Sequence, residues 1–132
     1  MSCTSDVGQN DGKPLQRCGK DFRESFTALC TMIHASARDH GFWDSELNFG
    51  EKIALVHSEL SEALEKNRKG VNNGLGLADE HCPQHSGVAI ELADAIIRIM
   101  DLAGYLGMDI GAAIIENMNF NSNRPYLHGK TS

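Results

Sequence analysis

Two acidic pairs have the residue types and the spacing to do chemistry: Glu59-Leu60-Ser61-Glu62 and Glu91-Leu92-Ala93-Asp94. Residues three apart on a helix leave from neighbouring points of one face, so each pair presents two carboxylates side by side. If the helices that carry them pack antiparallel, four carboxylates converge. Such a group cannot stay ionised and unpaired, because two like charges ~4 Å apart repel by about 4 kcal/mol at an effective dielectric near 20. Protonation, a cationic side chain or a bound cation can relieve it. Hard oxygen ligands in this number suit Mg²⁺ or Mn²⁺, with the remaining coordination sites left to water and phosphate. The competing assignment is a solvated helix face, where acids three apart are common. Arg98 serves that assignment, since it can pair with Asp94 or Asp101 on its own helix. The recurrence of the spacing on two consecutive helices, one of them otherwise apolar, favours the site.

Other ligand sets fit less well. A carboxylate-bridged di-iron centre needs Glu-x-x-His on two helices, and the third positions here are Glu62 and Asp94. His81, Cys82 and His85 offer three zinc ligands at a spacing that matches no standard finger.

The elements that must position the acids are legible from apolar period and capping residues. A first helix is expected over about Asp21 to His40, with Asp21 as cap, Glu24 in the capping-box position and Gly41 as a left-handed stop. Its stripe is Phe22, Phe26, Leu29, Ile33 and Ala37. The second, about Phe49 to Lys69, has Asn48 and Glu51 as a cap pair, Gly70 as stop, and Phe49, Ile53, Val56, Leu60 and Ala63 as core face. A polar connection over 71–85 leads to the third, about Ser86 to Leu106. Nearly all of its positions are apolar apart from Glu91, Asp94, Arg98 and Asp101, which share one narrow strip at ~100° per residue. Asp109 caps a fourth helix reaching about Asn121, with Ile110, Ile114 and Met118 inward, and Arg124-Pro125 stops it. Residues 1–19 lack hydrophobic period and read as a flexible tail, leaving 20–132 as one all-α domain, a four-helix bundle. The third helix is apolar over too much of its circumference for one protomer to cover, which predicts a homo-oligomer.

With 132 residues, 41% of them hydrophobic, the chain is one domain with a modest core. A formal net charge of −6 argues against a sequence-independent grip on a nucleic-acid polymer, which requires a basic stripe. A small polyanion such as a nucleotide remains compatible, provided metal ions bridge the like charges. There is no apolar run of the ~20 residues needed to span a bilayer. The polar start MSCTSDVGQNDGK has no secretory apolar segment, so a cytoplasmic location is expected and Cys3, Cys18, Cys30 and Cys82 read as reduced thiols.

Taken together, these segments resemble the MazG-like nucleotide pyrophosphohydrolases of the all-α NTP pyrophosphatase superfamily. The signature of that family is Glu-x-x-Glu, a spacer, then Glu-x-x-Asp on facing helices. Here it reads Glu59-x-x-Glu62, residues 63–90, then Glu91-x-x-Asp94. The stretches EKIALVHSELSEALEKNRKG and ELADAIIRIMDLAGYLGMDI look like its second and third helices, and NFNSNRPYLHGK like its C-terminal segment. The resemblance covers about Phe22 to Lys130. It implies a Mg²⁺-dependent (or Mn²⁺-dependent) conversion of a nucleoside triphosphate to the monophosphate and pyrophosphate. Glu59, Glu62, Glu91 and Asp94 would hold the metal, and a water at the site would attack the α-phosphate in line. It also implies a homodimer or homotetramer. Two departures stand out: Ser58 replaces a leading glutamate common in the family, and Asn117 a lysine.

The same resemblance marks substrate contacts. Trp43 stands where relatives place a base-stacking aromatic, although a tryptophan there can equally close the core between the first two helices. His34 lies where some relatives place a base-contacting histidine, against an ordinary structural role. Asn121, Arg124 and Lys130 are the phosphate candidates, with His128 in the same segment. Lys66, Arg68 and Lys69 can reach phosphate too, but cations at a helix C-terminus also complement its dipole. Within the superfamily an all-α dUTPase or a phosphoribosyl-ATP pyrophosphohydrolase shares the acids. Outside it, a non-catalytic helical oligomerisation or regulatory module needs the apolar stripes and not the acids.

Overall fold

Helix ends in this chain are set by side chains that satisfy the backbone groups an isolated helix leaves unpaired. The computed structural model describes residues 13–69 and 77–126, with side chains from Gly19 onward. Four helices occupy them: α1 Lys13–Asp39, α2 Phe49–Arg68, α3 Gly87–Leu106 and α4 Ile110–Ser122. Asn48 caps α2 by accepting from Glu51 N, Ser86 caps α3 by accepting from Ala89 N, and Asp109 caps α4 by accepting from Ala112 N. Gly41 (φ 84°) ends α1 in a Schellman motif, with Phe42 N donating to Ala37 O and Gly41 N to Arg38 O. Gly107 (φ 65°) does the same for α3, where Met108 N donates to Ala103 O.

The start of α1 differs from the sequence expectation. It begins at Lys13, so Asp21 is an interior residue, not a cap, and 13–19 are helical, not tail. Pro14 marks the first turn, where proline is tolerated because the early N–H groups have no intrahelical acceptor. The single glycine that follows does not break the helix: Gly19 is buried, with space for a Cβ only 3.6 Å from Ile115 of α4. The remainder of the expected tail, 1–12, and the expected stop Gly70 lie outside the described residues.

The helices pack in series, α2 on α3, α3 on α1, and α1 on α4. Contacts that climb along α2 descend along α3 (Glu59 to Arg98, Lys66 to Glu91), so the pair is antiparallel. The same holds for α1 and α3, where Cys30 lies against Gly104 and His34 against Asp101. Cys30, Met100 and Ala103 form the buried centre, with Phe26, Ile33 and Ile110 packed around it. Val56 and Ala63 take the inward positions of α2. Serial packing leaves one side of most helices uncovered. Several expected core residues are therefore exposed, among them Leu29, Phe49, Leu60 and Met118. Along α3 an outward stripe of Leu92, Ile96 and Ile99 remains 41–53% accessible. No described helix is long and apolar enough to cross a membrane.

Candidate metal centre

Antiparallel packing of α2 on α3 brings the acidic pairs together. Glu59, Glu62 and Glu91 each offer a carboxylate oxygen, and the three atoms lie within 4.8 Å of one another. Glu59 and Glu91 are buried, whereas Glu62 is exposed. Three hard oxygen donors converging from two rigid helices, one of them open to solvent, can hold a metal ion together. The fourth expected acid, Asp94, is not a member of this triad. It stands beside it, lining a cavity with Glu59 and Arg98.

The electrostatics are those of crowded carboxylates. Glu62 is pushed above the ordinary glutamate range, first by the charge of Glu91, then by that of Glu59. Asp94 is raised by its burial and then by Glu59 and Glu91, with Arg98 acting in the opposite direction. Two cations relieve the crowding. Arg98 Nε donates to Glu59 Oε1 at 2.5 Å, across the helix interface, and so does not pair with Asp94 or Asp101 as its position on α3 had suggested. Lys66 Nζ contacts Glu91 Oε1 and lies 3.5 Å from Asp79 Oδ2. Lys66 was legible as a participant: it follows Glu62 by four residues and Glu59 by seven, which places all three on one helix face. Asp79 carried no such signal, because only the path of the 77–86 loop brings it there.

The cavity beside the acids has a volume of about 520 Å³. Ile33, Ala37, Leu55 and Ile97 give it apolar walls, while Glu59, Asp94, Arg98, Lys52 and Asp101 supply charge. Apolar walls and convergent charged groups in one cavity suit a small charged ligand.

At the rim of this cavity Asp101 organises two of the residues marked as substrate contacts. Its Oδ1 accepts from His34 Nδ1 at 2.8 Å and from Trp43 Nε1 at 2.9 Å, and its Oδ2 lies 3.0 Å from the same indole nitrogen. Trp43 stacks on Tyr105 with ring centres 4.2 Å apart and planes 7° apart, and Lys52 Nζ sits 4.0 Å from its ring centre. The indole thus ties the α1–α2 connection to α3 and already has a stacking partner. Tyr105 and Asp101 were the missed members of this cluster; both lie on α3, four residues apart. Asn121 and Arg124 lie at the end of α4, whose main contacts are with α1. The Arg124 guanidinium rests 5.8 Å from the Phe120 ring centre, and none of the described contacts joins it to the triad. Lys130 and His128 lie outside the described residues.

His81, Cys82 and His85 do not assemble a ligand set among the described residues, and their segment is instead organised by Asp79. Comparison of the chain with protein-family models, with curated proteins and with solved structures found no match in any of the three.

Proposed function

We propose that the chain is a metal-dependent nucleoside triphosphate pyrophosphohydrolase, converting a (d)NTP to the (d)NMP and pyrophosphate. The convergence of Glu59, Glu62 and Glu91 next to a cavity of about 520 Å³ carries this reading. The motif resemblance to the MazG-like enzymes supports it on sequence pattern alone.

Mg²⁺, or Mn²⁺ in its place, fits the all-oxygen donor set and would supply charge neutralisation for the triphosphate. The protein's own residues do the rest. Glu59, Glu62 and Glu91 would form the metal-holding face, and Asp94, which lines the adjoining cavity with Glu59, would be the carboxylate available to take a proton from water. Arg98 and Lys66 hold Glu59 and Glu91 as ion pairs, so a bound cation would have to displace or share these partners. Ile33, Leu55 and Ile97 would give a base an apolar wall.

A second reading draws on the same ion pairs. Because Arg98 and Lys66 already neutralise Glu59 and Glu91, a helical module without catalysis would leave one of the three glutamates, Glu62, without a salt bridge among the described residues. A panel of canonical and modified NTPs and dNTPs with Mg²⁺, separating pyrophosphate from orthophosphate, decides between them. Pyrophosphate release is expected. Orthophosphate as primary product rejects the assigned bond cleavage, and no turnover by a folded chain favours the module.

The same reading includes self-association as a dimer or tetramer. The stripe Leu92, Ile96 and Ile99 falls on one face of α3 and stays about half exposed within the chain. Ile96→Glu is expected to convert the assembly to monomers in size-exclusion chromatography with light scattering, because a charge at the centre of an apolar interface is left unpaired. A wild-type chain that is already monomeric overturns the assignment.

A further inference from the structure

The polar chain at this end of α2 extends beyond the three glutamates. Lys66 leaves the same helix face as Glu59 and Glu62, and its ammonium is held between two carboxylates, Glu91 and Asp79. Asp79 is 7% exposed and firmly set. Its Oδ1 accepts from the backbone N–H groups of His81 and Cys82, each at 2.9 Å, while Oδ2 faces Lys66. The loop around it is closed by the Ala78–Ser86 bridge, by Asp79 N donating to His85 O and by Gly87 N donating to Leu77 O. The stem of Lys66 runs along Gly87, where an added Cβ would come within 2.8 Å of Lys66 Cδ. A loop, a glycine and an ion pair, contributed independently, all act on one ammonium group.

We propose that Asp79 is a positioning residue for the metal centre: it is the second partner to which the Lys66 ammonium moves when a divalent cation takes the Glu91 carboxylate. This inference rests on the reading of the triad as a metal site. The ammonium and a divalent cation compete for the same Glu91 oxygen and repel each other. A displaced lysine needs another counter-ion, since an unpaired charge in a partly buried site is unfavourable. Asp79 Oδ2 is already 3.5 Å away, within reach of a rotation about the last torsions of the lysine chain. The aspartate is ready to receive it in ionised form, because the backbone N–H of Cys82, then that of His81, and Lys66 itself hold its carboxyl below the ordinary range.

The test is calorimetric titration of Mn²⁺ alone into wild type, Lys66→Met, Asp79→Asn and the double variant. Methionine keeps the stem against Gly87 and removes the charge. Asparagine keeps an Oδ1 acceptor for the His81 and Cys82 N–H groups and replaces Oδ2 by an amide NH₂, which cannot accept from the Lys66 ammonium. Lys66→Met is expected to bind Mn²⁺ about tenfold tighter, because a competitor is gone, and Asp79→Asn about tenfold weaker, because the displaced lysine has no partner. In the double variant the Asp79 effect is expected to vanish, since the two residues act as one unit. An Asp79→Asn penalty of equal size with and without Lys66 overturns the proposal. So does Lys66→Met binding no tighter than wild type, which decides the matter even if the Asp79 variant loses its loop. Wild-type binding with unchanged variants removes this inference alone, whereas a wild-type chain that binds no Mn²⁺ removes the metal reading beneath it.

Discussion

Glu62→Gln is expected to lower kcat/KM for triphosphate hydrolysis about a thousandfold, while raising the melting temperature of the protein measured in EDTA. The first half follows from the proposed function, in which Glu62 is a metal ligand. Changing a residue that merely supports a metal ligand already weakens binding about 10–100-fold, and removal of a donor from the set itself exceeds that. The second half follows from electrostatics. Glu59 is paired with Arg98 and Glu91 with Lys66, but Glu62 has no salt bridge among the described residues and faces two other carboxylates. Replacing it by the neutral amide removes repulsion at nearly constant shape. Activity and intrinsic stability therefore move in opposite directions, as they do wherever a site concentrates like charge. Steady-state kinetics together with thermal melts in Mg²⁺ and in EDTA measure both. Full activity in Glu62→Gln rejects the metal-holding role, and a lower melting temperature in EDTA rejects the crowding.

The pH dependence has the same origin. Glu62 and Asp94 bind protons more readily in the folded chain than in the unfolded one. Over the window between their ordinary and raised values the native state holds more protons, so stability in EDTA falls as pH rises through it. Asp79 and Asp109 act oppositely, held down by the backbone N–H of Cys82 and of Ala112 respectively. Their contribution is present above the ordinary aspartate range and is lost as pH falls through their lowered values. Melts in EDTA should accordingly improve on moderate acidification and then decline. If the triad holds Mg²⁺ as proposed, adding Mg²⁺ should reverse the first trend, because protons and metal would compete for the same oxygens. Glu62→Gln should flatten the improving limb and leave the acid decline intact.

How much of this was legible in the residue order differs by level. The caps Asn48 and Asp109 and the stop Gly41 follow from local backbone chemistry, and all stand where local reading puts them. The acid pairs were legible because a fixed helical spacing converts sequence distance into direction. Partner choice was not. Arg98 has acids on its own helix at the right spacing, yet it crosses to Glu59, because α2 presents a buried carboxylate that needs a cation more than the partly exposed Asp94 does. Inward and outward were confused on α2 and α4, where Leu60 and Met118 fit the apolar period but stay about half exposed. Period identifies a stripe; only the order in which helices stack says whether that stripe is covered. Lys66 was visible beside the acids, while Asp79 was reached solely through the loop that carries it.

Gly104→Ala separates helix propensity from packing, because the two predict opposite signs. In an exposed helix interior, alanine is favoured over glycine by about 1 kcal/mol. At position 104 an added Cβ would lie 2.8 Å from Cys30 O and 2.8 Å from His34 Cβ, across the closest approach of α1 to α3. Backbone cannot swing aside as the tip of a side chain can, so the helices must separate, and overpacking of that kind costs about 1–3 kcal/mol. Gly104→Ala is therefore expected to be net destabilising, and Gly104→Val, with two further carbons and poorer propensity, to lose at least about 3 kcal/mol. For a domain of this size that is a fall in melting temperature of roughly 10 °C or more. The consequence extends to the site. His34 sits one helical turn beyond Cys30, and its 2.8 Å hydrogen bond to Asp101 is set by the same α1–α3 separation, as is the seat of the Trp43 indole. Widening it should loosen Trp43, giving red-shifted, more quenchable tryptophan emission in a chain whose one tryptophan is the reporter. A melting temperature that rises in Gly104→Ala would mean that α1 and α3 do not meet at Cys30 and Gly104, and with that contact the wall of the cavity beside the carboxylates would have to be redrawn.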